Sequence, residues 1–375
     1  MAKNINKDSF KSSTQLKLDI FRECFREWLP VFIHTHWTEE VAIFDFFAGS
    51  GTDTNGVLGS PLVLLDEAKG ENRKFCGKVK KEISFVFNEA KVKKSIELNK
   101  NVTNHIANCE KVNKCGGCIY DVNVLQYEFK SLFEQKPITD VLSSNKVGKF
   151  ILLDQYGFSQ IDDEIFNKLI HYPKTDFIFF ITSSFIKRFK EHPSVKAYIN
   201  TENLNFDESE PKECHRIIAD YFRSSVPDNK EYYLHHFSIQ KENGGNYYGL
   251  IFGSNHSLGM EKFLKVCWQK DQFSGESNFN IDNDYEEDNL FFNPKNSNKR
   301  QKVKKVLKSM ILDGEIKNNI AGLKFTLKQG CEPILFTNVV KELENAKKIS
   351  RSGNLSYSSM SIHKIKQPYN IIITD

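Results

Sequence analysis

The stretch that decides the fold is Ile43–Gly51, with the sequence Ile-Phe-Asp-Phe-Phe-Ala-Gly-Ser-Gly. Its first half is apolar and β-prone, which predicts a buried strand, and its second half is small and rich in glycine. Open α/β sheets form a nucleotide crevice where a strand ends in a tight glycine turn. Gly49 and Gly51 lack a Cβ atom, so their backbone can approach a ligand closely. Taken alone, the stretch is equally compatible with an ordinary strand followed by a loop.

Strands and helices alternate after this stretch as they do in a parallel sheet. The predicted strands are Val41–Phe47, Glu82–Phe87, Cys118–Asp121, Lys149–Leu153, Asp176–Thr182, Tyr232–Ile239 and Tyr247–Phe252. The predicted helices are Ser12–Phe32, Pro61–Ala68, Lys91–Asn104, Val124–Glu134 and Asp163–Ile170. Pro30 is expected to break or kink the first helix. The last two strands form a hairpin, so the fold class is α/β, a Rossmann-like parallel sheet with a terminal antiparallel strand.

The last part of the chain is basic. Residues 300–375 contain 14 Lys and Arg against 6 Asp and Glu, a net charge of +8 that leaves −4 for the rest. Three helical patterns and two strand-like segments predict a winged-helix-like domain there, with Phe336–Ala346 as its recognition helix. Such a domain suits nucleic acid, although a solvated lysine-rich surface explains the charge equally well. We divide the chain into domain 1–272, an acidic and polar linker 273–299, and the basic domain 300–375.

The composition points to a cytoplasmic protein. No apolar run approaches the roughly 20 residues that a membrane span needs, and residues 1–13 carry no apolar signal core. Eight cysteines are spread through the chain without a secretory signal, so disulfides are not expected.

Three cysteines lie close together in the sequence, at positions Cys109, Cys115 and Cys118. A Cys-x-x-Cys pair is half of a common zinc site, and the fourth ligand would be Cys76 or His105. Because Cys118 begins a predicted strand, burial of structural thiols is the favoured interpretation, and we do not expect zinc.

Charged side chains follow several predicted strands. Glu89 follows the second strand, Asp121 ends the third and Asp154 follows the fourth. An acid just past the second strand suits ribose hydroxyls, although a position at a helix N-terminus explains Glu89 as well. Lys187 and Arg188 follow the fifth strand, where they would contact a phosphate or another anion, or face solvent at a helix start.

This order of strands and acids resembles the S-adenosylmethionine (SAM) dependent methyltransferase fold. Asp45–Gly51 looks like the first motif of that fold, Glu89 like its ribose-binding acid and Asp121 like the acid near the adenine. The resemblance implies SAM as the cofactor. The cofactor contacts it implies are Asp45, Phe46, Ala48, Gly49, Gly51, Glu89 and Asp121.

A closer resemblance, covering most of the chain, is to the three-Cys-motif partner protein family (TcmP). It is carried by the leading helix with Thr14 and Lys17, by 44–51, by Leu153–Gly157, by Tyr247–His256, by the helix bearing Trp268 and by the C-terminal winged-helix segment. The family name implies a partner protein that carries three cysteines and resembles radical-SAM enzymes. On this resemblance alone, His256 is a further residue expected at the rim of the crevice.

The residues Asp154-Gln155-Tyr156-Gly157 stand where nucleic-acid amino-methyltransferases carry their catalytic motif. Those enzymes have a polar residue, two prolines and an aromatic residue, whereas here Gln155 and Tyr156 replace both prolines. Asp154 is expected to accept a hydrogen bond from the target amine, and Tyr156 or Phe158 to stack on a flipped base. The alternative is that Asp154 caps the next turn and Tyr156 packs.

Three functions follow from these patterns. The first is a SAM-dependent methyltransferase that acts on, or is bound to, nucleic acid and works with a three-Cys partner. The second is a non-catalytic subunit with a degenerate methyltransferase fold that binds nucleic acid or protein. The third is a metal-dependent nuclease in which Asp45, Glu89 and Asp154 hold magnesium. The methyl acceptor and the oligomeric state stay open.

Overall fold

Alternating side chains along the central strands place apolar residues on both faces of one seven-stranded sheet. The structure, a computed structural model, describes residues 12–374 except 71–74, 77–78, 115–116, 207–208, 243, 285–296 and 353–360. In the first strand, Val41 and Ile43 face one layer of helices, and Ala42 and Phe44 face the other. Each face is therefore buried under its own apolar layer, as parallel sheets require.

The order of the strands across the sheet is β3-β2-β1-β4-β5-β7-β6. Strands β1 to β5 are parallel, and β7 pairs antiparallel with both β5 and β6. The strands are β1 (Glu40–Asp45), β2 (Glu82–Asn88), β3 (Asp121–Leu125), β4 (Val147–Leu153), β5 (Thr175–Ile181), β6 (Tyr233–Gln240) and β7 (Tyr247–Ser254). This confirms the expected fold class, a mostly parallel sheet like that of Rossmann methyltransferases. The antiparallel strand lies inside the sheet, because β6 occupies the edge.

Helices of the main sheet divide between its two faces. One face carries α1 (Ser12–His34), α2 (Ser60–Ala68), α3 (Val92–Asn113) and α10 (Ser257–Lys270). The other carries α4 (Phe129–Phe133), α5 (Lys136–Ser143), α6 (Asp163–His171), α7 (Ser183–Arg188), α8 (Pro193–Lys196) and α9 (Cys214–Ser224). None of the helices in the described part of the chain has the length and apolar composition that a bilayer span requires.

Helix α1 continues through Pro30 to His34, so of the two predicted effects of this proline the break is wrong, and the kink stays a prediction. A proline inside a helix removes one backbone hydrogen bond and costs about 3 kcal/mol. Burial on both sides of Pro30 offsets this cost, since Leu29 and Ile33 are buried and the Trp28 ring lies 4.3 Å from the Phe32 ring.

The third strand differs from the predicted Cys118–Asp121. Strand β3 begins at Asp121, which pairs with Ser84, and it ends at Leu125, which pairs with Asn88. The predicted helix Val124–Glu134 is wrong over its first residues for the same reason, because Val124 pairs with Phe87 of β2. Pairing with a neighbouring strand decides between strand and helix for this short apolar segment.

The C-terminal part contains three helices and a two-stranded antiparallel sheet. These are α11 (Asn298–Leu312), α12 (Asn319–Lys328), α13 (Ile334–Asn345), β8 (Ile349–Ser352) and β9 (Asn370–Ile373). The predicted elements are present, while their assignment to a winged helix stays a prediction. We call residues 298–374 the C-terminal module. Its apolar residues belong to the same buried cluster as α1 and α10, and Trp268 Nε1 of α10 donates to the Gly330 carbonyl at 3.1 Å.

The described residues 273–284 of the segment predicted as a linker contain no helix or strand, but they contact the sheet. Ser277 forms a bridge to Ser238 at the edge strand β6. Ser274 and Glu276 are buried. Residues 285–296 of the linker lie outside the described residues, and the boundaries of the three segments stay a prediction.

Candidate functional site

The glycine turn leaves β1 at the point where the strand order reverses. Strands β2 and β3 lie on one side of β1, and β4 and β5 lie on the other. Ligand crevices of open α/β sheets form at such a point, outside the carboxyl ends of the strands. Gly49 has φ 65° and Gly51 has φ 82°, a left-handed backbone that favours glycine. A Cβ atom on Gly51 would lie 3.2 Å from Leu98 Cδ1, so a side chain there would also crowd this neighbour.

Asp45 fastens this turn to α2. Its side chain is fully buried, and it accepts hydrogen bonds from Ser60 Oγ at 2.6 Å and from the Phe47 backbone N–H at 3.2 Å. Burial raises the pKa of Asp45 to about 7, the negative charge of Asp154 adds to the shift, and the two hydrogen bonds oppose it. The carboxyl group thus accepts hydrogen bonds from α2 and from the turn itself, and a contact of Asp45 with a cofactor stays a prediction.

The other side chains of the turn also face the interior. The Phe46 ring packs between Phe129 and Phe133, with centroid distances of 5.3 and 5.7 Å. Ala48 is buried, and its N–H donates to the Asn88 carbonyl at 2.9 Å. What Phe46 and Ala48 present to the crevice is therefore backbone.

Asn88, which was not among the residues predicted for the site, joins the carboxyl ends of β1, β2 and β3. Its Nδ2 donates to the carbonyls of Phe46 at 3.2 Å and Tyr127 at 3.0 Å, and its Oδ1 accepts from the Tyr127 N–H at 3.0 Å. The only sequence feature that could have pointed to Asn88 is its position as a single amide at the end of an apolar strand. Glu89 directly follows β2, and its Oε1 accepts the Lys91 N–H at 2.8 Å beside the start of α3; the expected contact of Glu89 with a ribose stays a prediction.

Asp121 lies at the wrong end of its strand for a crevice residue. It is the first residue of β3, on the amino edge of the sheet, and it is exposed. Its Oδ2 accepts a hydrogen bond from Asn123 Nδ2 at 2.8 Å. The expected contact with an adenine therefore has no support from the position of Asp121.

Asp154 is paired with a lysine from the first helix. Lys17 Nζ lies 2.7 and 2.6 Å from the two carboxylate oxygens of Asp154 and 4.7 Å from the centre of the Phe180 ring. The side chains of Lys17 and Asp154 are 13% and 19% exposed. These contacts hold the start of α1 near the carboxyl ends of β4 and β5.

The residues after Asp154 divide into buried and exposed positions. Gln155 is buried; its Nε2 donates to the Phe180 carbonyl at 3.0 Å, and its Oε1 accepts the Gln160 N–H at 2.9 Å. Tyr156 is 74% exposed and available to a substrate. Phe158 is buried against Phe185, so the expectation that Phe158 stacks on a base is wrong for this conformation.

The two cations after β5 have different environments. Lys187 Nζ donates to the Ser209 carbonyl at 2.7 Å and to the Ser209 hydroxyl at 2.9 Å, so the protein itself engages this ammonium group. Arg188 is exposed, with its guanidinium 3.5 Å from Asn246 Oδ1. Of the two, Arg188 is the cation accessible to an anionic ligand.

His256 lies at the edge opposite the crevice, and its predicted place on the rim is wrong. Strand β7 runs antiparallel to β5, so its last residue, Ser254, pairs near the start of β5 with Asp176. His256 follows Ser254 and begins α10, where its Nδ1 accepts the Leu258 N–H at 3.1 Å. The reversed direction of the hairpin strand is the physical reason.

The cysteines form part of a small cavity. Cys76, Cys109 and Cys118 line a cavity of about 100 Å³ together with His105, while Cys115 lies outside the described residues. His105 Nε2 is hydrogen bonded to Asp66 Oδ1 at 2.9 Å. Among the side chains that the structure describes, no group of three or more His, Cys, Asp or Glu is arranged to hold a metal ion.

Comparison with solved structures finds methyltransferases that match this chain with low sequence identity and low TM-scores. No protein-family model and no curated protein matches the chain. An O-methyltransferase from Bacillus cereus in complex with SAH is 11% identical, with a TM-score of 0.31 and coverage of 65% of this chain and 91% of that one.

Two further solved structures give similar values. The Bacillus subtilis tRNA methyltransferase TrmK is 11% identical, with a TM-score of 0.29 and coverage of 87% and 95%. A SAM-dependent methyltransferase from Aquifex aeolicus is 14% identical, with a TM-score of 0.28 and coverage of 65% and 98%. Values this low support no inference about activity, and the methyltransferase-like fold of this chain rests on its own strand order.

Proposed function

We propose that the crevice binds SAM and that the chain transfers a methyl group to nucleic acid. The observation that carries the proposal is the left-handed turn of Gly49 and Gly51, which directly follows β1 at the reversal of strand order. Glu89 directly follows β2, the strand that pairs with β1, so it adds a carboxylate one strand away from the turn. These residues fit a nucleoside ligand, because the turn offers backbone without Cβ atoms and Glu89 offers an acceptor for ribose hydroxyls.

The residues on the other side of β1 suit the methyl acceptor. SAM, when bound, supplies a methyl group on a sulfonium, which is already a good leaving group. The chain then has to position the acceptor in line and exclude water, which is the larger part of catalysis of this kind. Asp154 is the candidate acceptor of a hydrogen bond from the target amine, and exposed Tyr156 the candidate contact for its base. The Asp154 carboxylate, which accepts from Lys17 at both oxygens, has further lone pairs for such an amine.

Calorimetric titration of the full chain with S-adenosylhomocysteine, the demethylated product, tests the cofactor. We expect saturable binding, weakened about tenfold by Glu89→Ala, which removes an acceptor worth about 1.4 kcal/mol. Asp121→Asn is the matched control, because Asp121 lies at the opposite edge of the sheet. Absence of binding at millimolar ligand rejects the proposal, as does an equal effect of both substitutions.

Nucleic-acid binding by the C-terminal module is part of the proposal. Several of its cations are engaged internally: Lys304 and Lys308 both pair with Glu342, and Lys299 pairs with Glu276. Lys302 and Lys305 are exposed on α11. Exchange of both for Glu should lower affinity for nucleic acid and flatten its salt dependence. Unchanged affinity and slope remove the module from the proposal.

A non-catalytic partner subunit is the second candidate. The observation that favours it is that two residues of the proposed acceptor motif are engaged within the protein. Asp154 is paired with Lys17, and Gln155 is buried. Such a subunit would bind a three-Cys protein and carry no methyl transfer. Incubation with methyl-labelled SAM and total cellular RNA and DNA separates the two. Labelled nucleic acid supports the enzyme, whereas intact S-adenosylhomocysteine binding without labelling supports the subunit.

A further inference from the structure

Three phenylalanine rings form a row at the carboxyl edge of the sheet. Phe158 is buried and stacks on Phe185 with 5.4 Å between ring centres, and Phe185 contacts Phe189 at 4.6 Å. The two outer rings are exposed, Phe185 by 44% and Phe189 by 39%. An exposed aromatic pair backed by a buried ring is a rigid apolar surface, and such surfaces mark binding sites.

Tyr156 lies on the loop that joins this row to the crevice. The backbone N–H of Thr182, at the end of β5, donates to the Gly157 carbonyl at 3.3 Å. The Gln155 side chain holds the same loop to the Phe180 carbonyl. Tyr156 stands between these two anchors, so its exposed ring belongs to the same edge as α7, which begins at Ser183.

Cationic residues accompany the row in the sequence. Residues 185–190 have the sequence Phe-Ile-Lys-Arg-Phe-Lys, in which cations alternate with aromatic residues. Arg188 is exposed on α7 between Phe185 and Phe189. Exposed aromatic rings interleaved with cations suit a ligand that has flat apolar faces and a regularly spaced negative charge.

Acidic residues line an open cavity of about 440 Å³ near α6, and their negative charge opposes that of the cations on α7. Three of its acids have partners within the protein. Asp162 pairs with Lys130, Glu164 pairs with Lys168, and Asp163 accepts a hydrogen bond from Tyr221. Their negative charge is thus partly offset, which leaves the α7 surface as the cationic part of this edge.

We propose that Tyr156, Phe185 and Phe189 form a stacking platform for single-stranded nucleic acid, with Arg188 at its phosphates. Unpaired bases expose their faces to aromatic rings, whereas the bases of a duplex are stacked on each other. The platform extends the proposed function, because it assigns the place where an acceptor strand is held beside Asp154. For the methyl transfer it rests on that proposed function. It does not depend on SAM for binding.

Fluorescence anisotropy of the full chain with labelled oligouridylate and oligodeoxythymidylate of about 12 nucleotides tests the platform. We expect Tyr156→Ala and Phe189→Ala each to raise Kd roughly 5- to 100-fold, the effect of one lost base stack. Phe189→Trp should retain affinity, because it keeps a stacking ring. Arg188→Gln should reduce the slope of log affinity against log salt by about one. A duplex of equal length should bind more weakly than either single strand.

Trp37→Ala is the matched control. Trp37 is 58% exposed and follows α1, close to His256 at the opposite edge of the sheet, so its loss should leave Kd unchanged. Parental Kd in both alanine variants overturns the platform, as does the absence of single-strand binding or a loss of affinity confined to the Lys302 and Lys305 substitutions.

Titration of the same variants with S-adenosylhomocysteine separates this inference from the proposed function. Phe189→Ala, which lies outside the proposed cofactor and acceptor residues, should bind the nucleoside as the parent does. If the parent binds single strands through the platform but no S-adenosylhomocysteine, the methyltransferase proposal fails and the platform stands. The reverse result rejects the platform alone.

Discussion

Lys17 Nζ lies 2.6 and 2.7 Å from the two carboxylate oxygens of Asp154, although 137 positions of the chain separate the two residues. The pair joins the first helix to the end of β4, at the reversal of strand order where a ligand crevice is expected. Both side chains are mostly buried, so each depends on the other for a charged partner. The ion pair therefore couples the position of α1 to the proposed acceptor site.

Replacing Lys17 with Ala should lower the free energy of unfolding by about 1–3 kcal/mol, because Asp154 loses its partner in a mostly buried place. Urea denaturation measures the change. The double variant with Asp154→Ala should recover part of the loss, which gives a favourable coupling energy of about 1 kcal/mol or more. The exposed pair Lys146–Glu39, with side chains 70% and 65% exposed, serves as control and should couple by less than about 0.5 kcal/mol.

A buried aspartate makes stability depend on pH. Burial raises the pKa of Asp176 from 3.8 to about 7, partly opposed by hydrogen bonds from Ser254 and Trp28. Since the folded-state pKa lies above the unfolded one, this stabilising contribution is complete below pH 3.8 and is lost as the pH rises through about 7.

Asp176→Asn does not titrate and keeps an acceptor for Trp28. Its free energy of unfolding, relative to the parent, should rise between about pH 4 and pH 7 by up to about 1.4 kcal/mol per pH unit. Urea denaturation at a series of pH values measures this difference. Asp220→Asn, at a side chain 65% exposed, should show no such trend. Parallel pH profiles of the parent and Asp176→Asn contradict the prediction.

The two glycine substitutions Gly51→Ala and Gly56→Ala separate backbone strain from packing. Both positions have positive φ, 82° and 78°, so each substitution should cost about 1–2 kcal/mol of stability. Only at Gly51 would the new Cβ meet a neighbour, Leu98 at 3.2 Å, while Gly56 has open space. Gly51→Ala should in addition weaken S-adenosylhomocysteine binding about tenfold. Equal binding by both variants would place the ligand away from the turn.

Glu276 binds cations from both sides of the sheet. Its carboxylate lies 2.5 Å from Lys299 Nζ of α11 and 2.7 Å from the Arg216 guanidinium of α9, and it is buried. Glu276→Gln removes the carboxylate that pairs with Lys299 and one of the two that pair with Arg216, so the free energy of unfolding should fall by about 3–5 kcal/mol. The control is Glu231→Gln, whose partner Lys324 is 35% exposed, with an expected loss below about 1 kcal/mol.

Unfolding of the parent protein should be a single transition, because the C-terminal module shares its apolar cluster with α1 and α10. Tryptophan fluorescence and far-ultraviolet circular dichroism during urea denaturation check this. Non-coincident transitions would show that the module unfolds by itself.

Local sequence was sufficient for most elements of the sheet and for the glycine turn. Strands Val147–Leu153 and Thr175–Ile181 contain the apolar runs 150–153 and 177–181, and these runs are enough to predict both strands to within two residues of their ends. The order of strands and helices then predicts the fold class. The residue type of Gly49 and Gly51 permits their positive φ values, since glycine adopts them without strain, but only the structure shows that they occur.

Tertiary structure decided which side chains meet. The antiparallel direction of β7 places His256 at the amino edge of the parallel strands. Pairing with β2 makes β3 begin at Asp121, where the sequence predicted it to end. Packing took Phe158 into the core and left Tyr156 and Phe189 exposed. The sequence by itself determined the elements and their order, because those depend on neighbours along the chain. The contacts of Asp154, Glu276 and Asn88 depend on strand register and helix docking, which are fixed only by residues far away in the chain.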